Sequence, residues 1–309
     1  MRILFMGTPD IAAASLAAIL EAGHEVCGVF TRQDKPVGRK QVLTAPPVKV
    51  LAESRGIPVY QPRTLRDEAV QADIRALTPE LIVVVAYGRI LPPEVLEVPP
   101  LGCINLHVSL LPKYRGAAPV QWSVINGDAE TGVSIMFLDE GLDTGDILNV
   151  APVDIGPEET SGEVFQRITG QGAKTLVETI AAIGRGEVTR TPQDHSKATL
   201  APPLTKEMAH FDFTRPAAQL HNLVRGMNPW PVAFFEEDGK KIKVLKSRVA
   251  AGSGAPGQVL ALSPLTIACG EGALELAEVV PEGKKPMAGT AWAAGRRLKA
   301  GDVLQEKEH

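Results

Sequence analysis

The chain has 309 residues, 44% hydrophobic and 22% charged, with a net charge of −4. That balance fits an ordinary globular protein with room for two domains or one large one. Its three cysteines, Cys27, Cys103 and Cys269, are too few for a disulfide framework and lack metal-ligand spacing, so a reducing cytosol is the expected setting.

The opening run "RILFMG" reads as a strand, and "TPDIAAASLAAILEAG" as a helix with Thr8 as N-cap, Pro9 in the first turn and Gly23 at its end. Gly7, Thr8, Pro9 and Asp10 interrupt what could otherwise pass for a signal peptide, and no apolar run is long enough to span a membrane. No Arg- and Ser-rich presequence precedes the first strand, so the expected location is the cytoplasm. "HEVCGVFT" is a second strand, followed by a long polar loop, "RQDKPVGRKQVLTAPP". A helix over "VKVLAESRG" and strands "IPVYQP", "ELIVVVAYG" and "GCINLH" come next. Apolar strands alternating with helices predict a mostly parallel sheet covered on both faces, an α/β, Rossmann-like doubly wound domain. The first turn reads "MGTPD" and lacks the G-x-G-x-x-G of dinucleotide folds, and there is no P-loop; no nicotinamide cofactor is expected.

"GVSIMFLDEGLDTGDILNVAPVDI" gives two strands around an acidic turn, and a helix runs from about Thr160 to Arg185. "TRTPQDHSKATLAPPLTKE" has little periodicity and several prolines, and reads as a linker. From about Glu207 the texture changes to a helix near Pro216–Gly226 and short strands separated by "EDGK" and "GSGAPG". That pattern predicts a small OB-like β-barrel. The expected division is residues 1–188 as a catalytic domain, 189–206 as a linker and 207–309 as the barrel. From Thr205 onward the chain carries 14 Lys or Arg against 12 Asp or Glu, whereas the first 204 residues carry 18 against 24.

Asn105, His107 and Asp143 form the chemically interesting set. Alternation puts Asn105 and His107 on one face of a strand end, where open α/β sheets bind ligands. Asp143 lies in "DEGLDTGD", a turn able to present a carboxylate. An amide donor, a titratable base and a carboxylate suit acyl transfer without a covalent intermediate. The plainer reading is a hydrogen-bonded structural histidine beside a capped acidic turn or a weak cation site. The acidic spacing is not that of an EF-hand, no H-E-x-x-H suggests zinc and no G-x-S-x-G suggests a serine hydrolase. From spacing alone the set reads no further than an acid–base site.

Residues 105 to 148, "NLHVSLLPKYRGAAPVQWSVINGDAETGVSIMFLDEGLDTGDIL", resemble the signature block of the folate-dependent formyltransferases. The segments "ILFMGTPDIAAASL", "QDKPVGRKQVLTAPPVK" and "NPWPVAF" extend the likeness along the chain to the branch acting on methionyl-tRNA. The resemblance implies transfer of a formyl group from N10-formyltetrahydrofolate, the co-substrate, to the α-amino group of methionine on initiator tRNA, with no metal and no NAD. It implies that Asn105 and His107 donate to the formyl oxygen while Asp143 orients His107 and relays a proton. Ser109, Leu110, Leu111 and Pro112 would supply backbone groups and an apolar wall for the pterin, with Tyr87, Gly88 and Ile90 as another. Arg39 and Lys40, in the basic loop, would meet the tRNA acceptor arm, and Lys206 would lie near the acceptor end.

Lys241, Lys243 and Lys246, within one basic hairpin, suit a phosphate backbone. Their plainer role is edge protection of a soluble sheet. A monomer is expected. Rival readings within the chemistry are a glycinamide ribonucleotide formyltransferase, a sugar-nucleotide formyltransferase and a formyltetrahydrofolate hydrolase domain. The first normally lacks such a second domain, and the others leave the basic loop unexplained. A tRNA-binding module with a decayed active site is a further alternative, against which the three intact polar residues argue.

Overall fold

The computed structural model describes residues 1–38 and 40–304, and in it the chain divides into two units. The first comprises Met1–Gly116, Thr131–Val153 and Gln166–Leu200; the second comprises Ala117–Glu130, Asp154–Phe165 and the chain from Ala201 onward. In chain order the elements begin with β1 (Arg2–Gly7), α1 (Asp10–Glu21), β2 (Glu25–Phe30), β3 (Lys35–Val37), β4 (Val42–Thr44) and α2 (Pro47–Ser54). Next come β5 (Val59–Tyr60), α3 (Glu68–Ala76), β6 (Leu81–Val85), α4 (Pro93–Leu96), β7 (Cys103–His107) and β8 (Arg115–Gly116). They continue with α5 (Pro119–Ile125), β9 (Glu130–Phe137), β10 (Ile147–Asp154), α6 (Ser161–Arg185), β11 (Leu200–Ala201) and α7 (Ala217–Gly226). The last are β12 (Phe234–Glu237), β13 (Lys240–Ala250), β14 (Val259–Leu262), β15 (Leu265–Ala268), β16 (Ala273–Pro281), β17 (Met287–Ala288) and α8 (Gly289–Arg296).

Seven strands form the central sheet of the first unit in the order β10-β9-β7-β6-β1-β2-β5. β5, β2, β1, β6 and β7 are parallel, and β9 runs antiparallel to β7. All five residues of β6, "LIVVV", are buried, as a strand covered on both faces requires. This is the doubly wound architecture expected from the sequence. The chain leaves β1 toward β2 and β5 on one side and returns to β6 and β7 on the other. The switch point therefore falls between β1 and β6, where open sheets of this kind take ligands at the strands' carboxyl ends. Gly7 closes β1 there: a Cβ on it would stand 2.7 Å from the Val85 carbonyl oxygen and 2.6 Å from the Ala12 Cβ.

Two local expectations are corrected. The N-cap of α1 is Pro9, with extended backbone, and Thr8 makes no capping bond. The polar loop after β2 is a hairpin, with Lys35, Pro36 and Val37 paired to Thr44, Leu43 and Val42. Arg39 lies outside the described residues.

In the second unit a six-stranded sheet runs β12-β13-β16-β15-β14, with β17 on β16, and its pairings are antiparallel. Among the described residues β12 and β14 do not pair, so the expected barrel is open along that seam. Its core gathers Phe211, Phe213, Phe235, Leu220, Val224 and Trp292. The phenylalanine rings meet edge-on or tilted, with centroids 5.2–5.9 Å apart. Among the described residues no helix is long and apolar enough to cross a membrane.

Candidate active site

β7 ends at the carboxyl edge of the first unit's sheet, and alternation decides what it presents there. Leu106 points toward α6, where a Cβ on Gly172 would come within 3.0 Å of its Cδ1. Asn105 and His107 therefore share the other face. The Asn105 side chain is half-buried, and its amide makes no hydrogen bond among the described residues.

His107 is buried, with one nitrogen held and the other facing a carboxylate. Its Nε2 lies 2.9 Å from the Tyr114 carbonyl oxygen, and its Nδ1 faces Asp143 Oδ2 at 3.7 Å. A carbonyl only accepts, so Nε2 carries a proton and Nδ1 is the nitrogen facing the carboxylate. The second distance is too long for a hydrogen bond. Asp143 Oδ2 instead accepts from the Gly116 backbone N–H at 2.8 Å.

Both partners of His107 have left-handed backbones, with φ 60° at Tyr114 and 52° at Asp143. Non-glycine residues hold such angles only where their surroundings impose them, which is commonest at functional sites. Around Asp143 the acidic turn is tied by Asp139 Oδ1, which accepts from the Gly141 N–H at 3.0 Å and the Thr144 hydroxyl at 2.6 Å. Gly145 admits no side chain, because a Cβ there would lie 1.9 Å from the Phe137 carbonyl oxygen.

The turn after β7 is pinned by Ser134 on β9. Its hydroxyl donates to the Ser109 carbonyl at 2.7 Å and accepts from the Leu111 N–H at 3.1 Å. Ser109 is buried and donates its hydroxyl to the Lys113 carbonyl at 2.7 Å. Leu111 is buried, while Leu110 and Pro112 are half-exposed. After β6, Tyr87 is buried with no hydrogen-bond partner for its hydroxyl among the described residues, and burial raises its pKa despite the charges of Arg89 and Arg32. Gly88 has φ 75°, and its carbonyl accepts from Arg32 Nη1 at 2.7 Å. Ile90 is 80% exposed.

Residues with no sequence signal complete the surroundings. Residues 191–199 add a bridge from Thr191 to Ile147 and three bonds between Thr199 and the loop after β7, one of them from the Thr199 N–H to the Pro112 carbonyl at 3.3 Å. In the other two, the Tyr114 N–H donates to Thr199 Oγ1 at 2.9 Å and the Arg115 N–H to its carbonyl at 2.8 Å. Gln193 and Arg115 are buried in the same place. The stretch lacks periodicity, so nothing in the sequence marked these residues; only the tripeptide "YRG" lay inside the recognised block.

The basic residues fall in two groups. Lys40 is exposed on the hairpin. At the hairpin's base Lys49 Nζ is bound to both Asp34 carboxylate oxygens, at 3.0 and 2.9 Å, and to Gln61 Oε1 at 3.1 Å. In the second unit Lys206, Lys241, Lys243 and Lys246 are all exposed. Lys241 Nζ sits 4.6 Å from the centroid of the Phe234 ring. Register shifts on either side of Lys246 bring it to the exposed side after Lys241 and Lys243. Among the described residues no group of three His, Cys, Asp or Glu side chains could hold a metal ion.

An amide, an imidazole and a carboxylate gathered at the carboxyl end of β7 are equipment that suits acyl transfer. Family models for the formyl transferase domain match residues 1–180, and for its C-terminal domain residues 203–297; the chain belongs to the formyl transferase family. The methionyl-tRNA formyltransferase of Myxococcus xanthus is 47% identical over 302 residues, 97% of this chain and 96% of its own length. That of Alkaliphilus oremlandii is 44% identical over 310 residues, 99% of this chain and all of its own. Among solved structures, an N-formyltransferase from Helicobacter canadensis, in complex with folinic acid and dTDP-3-aminofucose, superposes with a TM-score of 0.68 at 18% identity. That match covers 88% of this chain and 97% of the other. The family expected from the central block of the sequence is thus the one found.

Proposed function

We propose that the chain transfers the formyl group of N10-formyltetrahydrofolate to the α-amino group of methionine on initiator methionyl-tRNA, as a monomer in the cytoplasm. The observation that carries the reading is the free Asn105 amide and the His107–Asp143 pair at the end of β7, in a chain whose methionyl-tRNA formyltransferase relatives match nearly its full length. The neutral amine attacks the formyl carbon, and the carbonyl electrons move onto oxygen. Asn105 donates to that oxygen through its amide and His107, in its doubly protonated form with Nε2–H kept on the Tyr114 carbonyl, through Nδ1–H, donors that matter most as charge develops. The carboxylate of Asp143 takes the proton from the amine nitrogen and returns it to N10 as the C–N10 bond breaks.

In this reading the 109–112 turn and Tyr87, Gly88 and Ile90 hold the folate, and an exposed Ile90 suits a pterin or benzoyl ring. Arg39 and Lys40 meet the acceptor arm, and Lys206 approaches its end. The catalytic part is residues 1–188, joined through 189–206 to an RNA-binding part. The test offers purified protein, with formyl-folate, a choice of charged initiator tRNA, glycinamide ribonucleotide or an amino sugar nucleotide. Formylmethionyl-tRNA is the expected product; preference for either small acceptor overturns the reading.

A further inference from the structure

Asp143 is gripped at both ends by neighbouring residues. Gly116 holds its carboxylate, and Arg115 reaches its backbone through Gln193. The Gln193 amide nitrogen donates to the Asp143 carbonyl at 2.9 Å and to the Gly145 carbonyl at 2.8 Å. Its oxygen accepts from Arg115 Nε at 3.2 Å and Nη2 at 2.7 Å, and Nη2 also donates to His195 Nδ1 at 3.1 Å. The orientation of the amide is unambiguous, because carbonyls only accept and a guanidinium only donates. Gln193 and Arg115 are 7% and 8% exposed, so water cannot replace these bonds cheaply.

We infer that Gln193, anchored by Arg115, is a positioning residue that sets the left-handed backbone of Asp143 and so aims its carboxylate at His107. Two carbonyls two residues apart can converge on one NH2 group only if the intervening chain curls around it. Asp143, with its φ of 52°, leads directly into that curl, so pinning its carbonyl limits how its backbone can relax. Without the donors, two buried carbonyls lose their partners, and the aspartate is free to relax to a commoner backbone. The carboxylate would then leave both the Gly116 N–H and the imidazole. The inference rests on the proposed reaction for its kinetic consequence, but not for its structural one.

Gln193→Glu is the decisive variant. It keeps the shape and strengthens the tie to Arg115, yet it presents an oxygen where the two carbonyls need a donor. Turnover should fall about 10- to 100-fold, the scale of a small misplacement of a reacting group. KM for charged tRNA and folate affinity should stay within about twofold, since no contact with either is removed. Placed on Asp143→Asn, the same change should cost less than about twofold, because a residue acting only through Asp143 loses its effect when that carboxylate is gone. Hydrogen exchange at the Gly116 amide should accelerate in Gln193→Glu, a readout independent of any activity. Unchanged exchange at Gly116, or a full repeat of the turnover loss on Asp143→Asn, overturns the inference. If wild type formylates nothing, the proposed function falls and exchange at Gly116 still decides this point.

Discussion

His107 makes contacts of two kinds, and its chemistry follows from which nitrogen makes which. The Tyr114 carbonyl fixes the ring and claims Nε2–H, leaving Nδ1 for the space beside Asp143. Asn105, on the same strand face, has an amide that no protein group occupies among the described residues. In the proposed reaction both are donors to a charge that exists only in transit. Asn105→Ala and His107→Ala should therefore each lower turnover by about 10²–10³-fold, with charged-tRNA binding nearly unchanged. Asp143→Asn keeps the shape and an acceptor oxygen for Gly116 but not the negative charge, and should also be severely impaired. Single-turnover formylation with tRNA binding measured in parallel checks all three; near-wild-type rates would remove these residues from the chemistry.

The elements show which contacts survive without a sequence signal. The strands β1, β6 and β7 were legible as apolar runs, and Asn105 and His107 as a pair two residues apart. The hairpin of β3 and β4 was not, because all six of its strand residues are exposed and carry no burial pattern. What fixes it is a latch at its base. Asp34 is bound by Lys49 and Gln61, and the Gln61 amide also donates to the Arg32 carbonyl at 2.7 Å. Lys49 is thus engaged inside the protein. Bonds from Gln61, then Lys49, lower the Asp34 pKa. Such a group's contribution is present above the ordinary carboxylate range and lost as pH falls through the lower, folded value. The latch is accordingly closed throughout the neutral range. Asp34→Ala should loosen the hairpin and reduce kcat/KM for charged tRNA while folate affinity holds. Equal kcat/KM would mean that hairpin order is irrelevant to the acceptor. The turn before β10 is legible only in part: its acidic residues stand out, but the need for Gly145 appears only beside the Phe137 carbonyl. Gly145→Ala should cost about 1–3 kcal/mol by overpacking, read as a lowered denaturation midpoint with unchanged slope.

At the scale of the molecule, charge is divided along the sequence: from Thr205 onward Lys and Arg outnumber Asp and Glu by 14 to 12, whereas before it they are outnumbered 18 to 24. Not all of that charge is available. Arg248 is paired with Glu275 at 3.1 Å, and Arg296 with Glu237 at 3.2 Å. Lys241, Lys243 and Lys246 remain exposed along β13, the last brought there by the irregular register. A row of exposed lysines attracts phosphate without reading sequence, so its contribution to tRNA affinity should be electrostatic and indiscriminate. Each lysine that meets a phosphate releases counterions, and replacing all three with alanine should flatten the log–log salt dependence of affinity by about 2–3 units. Initiator and elongator tRNA should weaken by similar factors. Folate affinity should not move, because every residue proposed to hold folate lies in the first unit. A salt titration of tRNA affinity for wild type and the triple variant decides the matter. Parallel slopes would mean that these lysines only keep an exposed strand soluble, and that the second unit grips tRNA elsewhere or not at all.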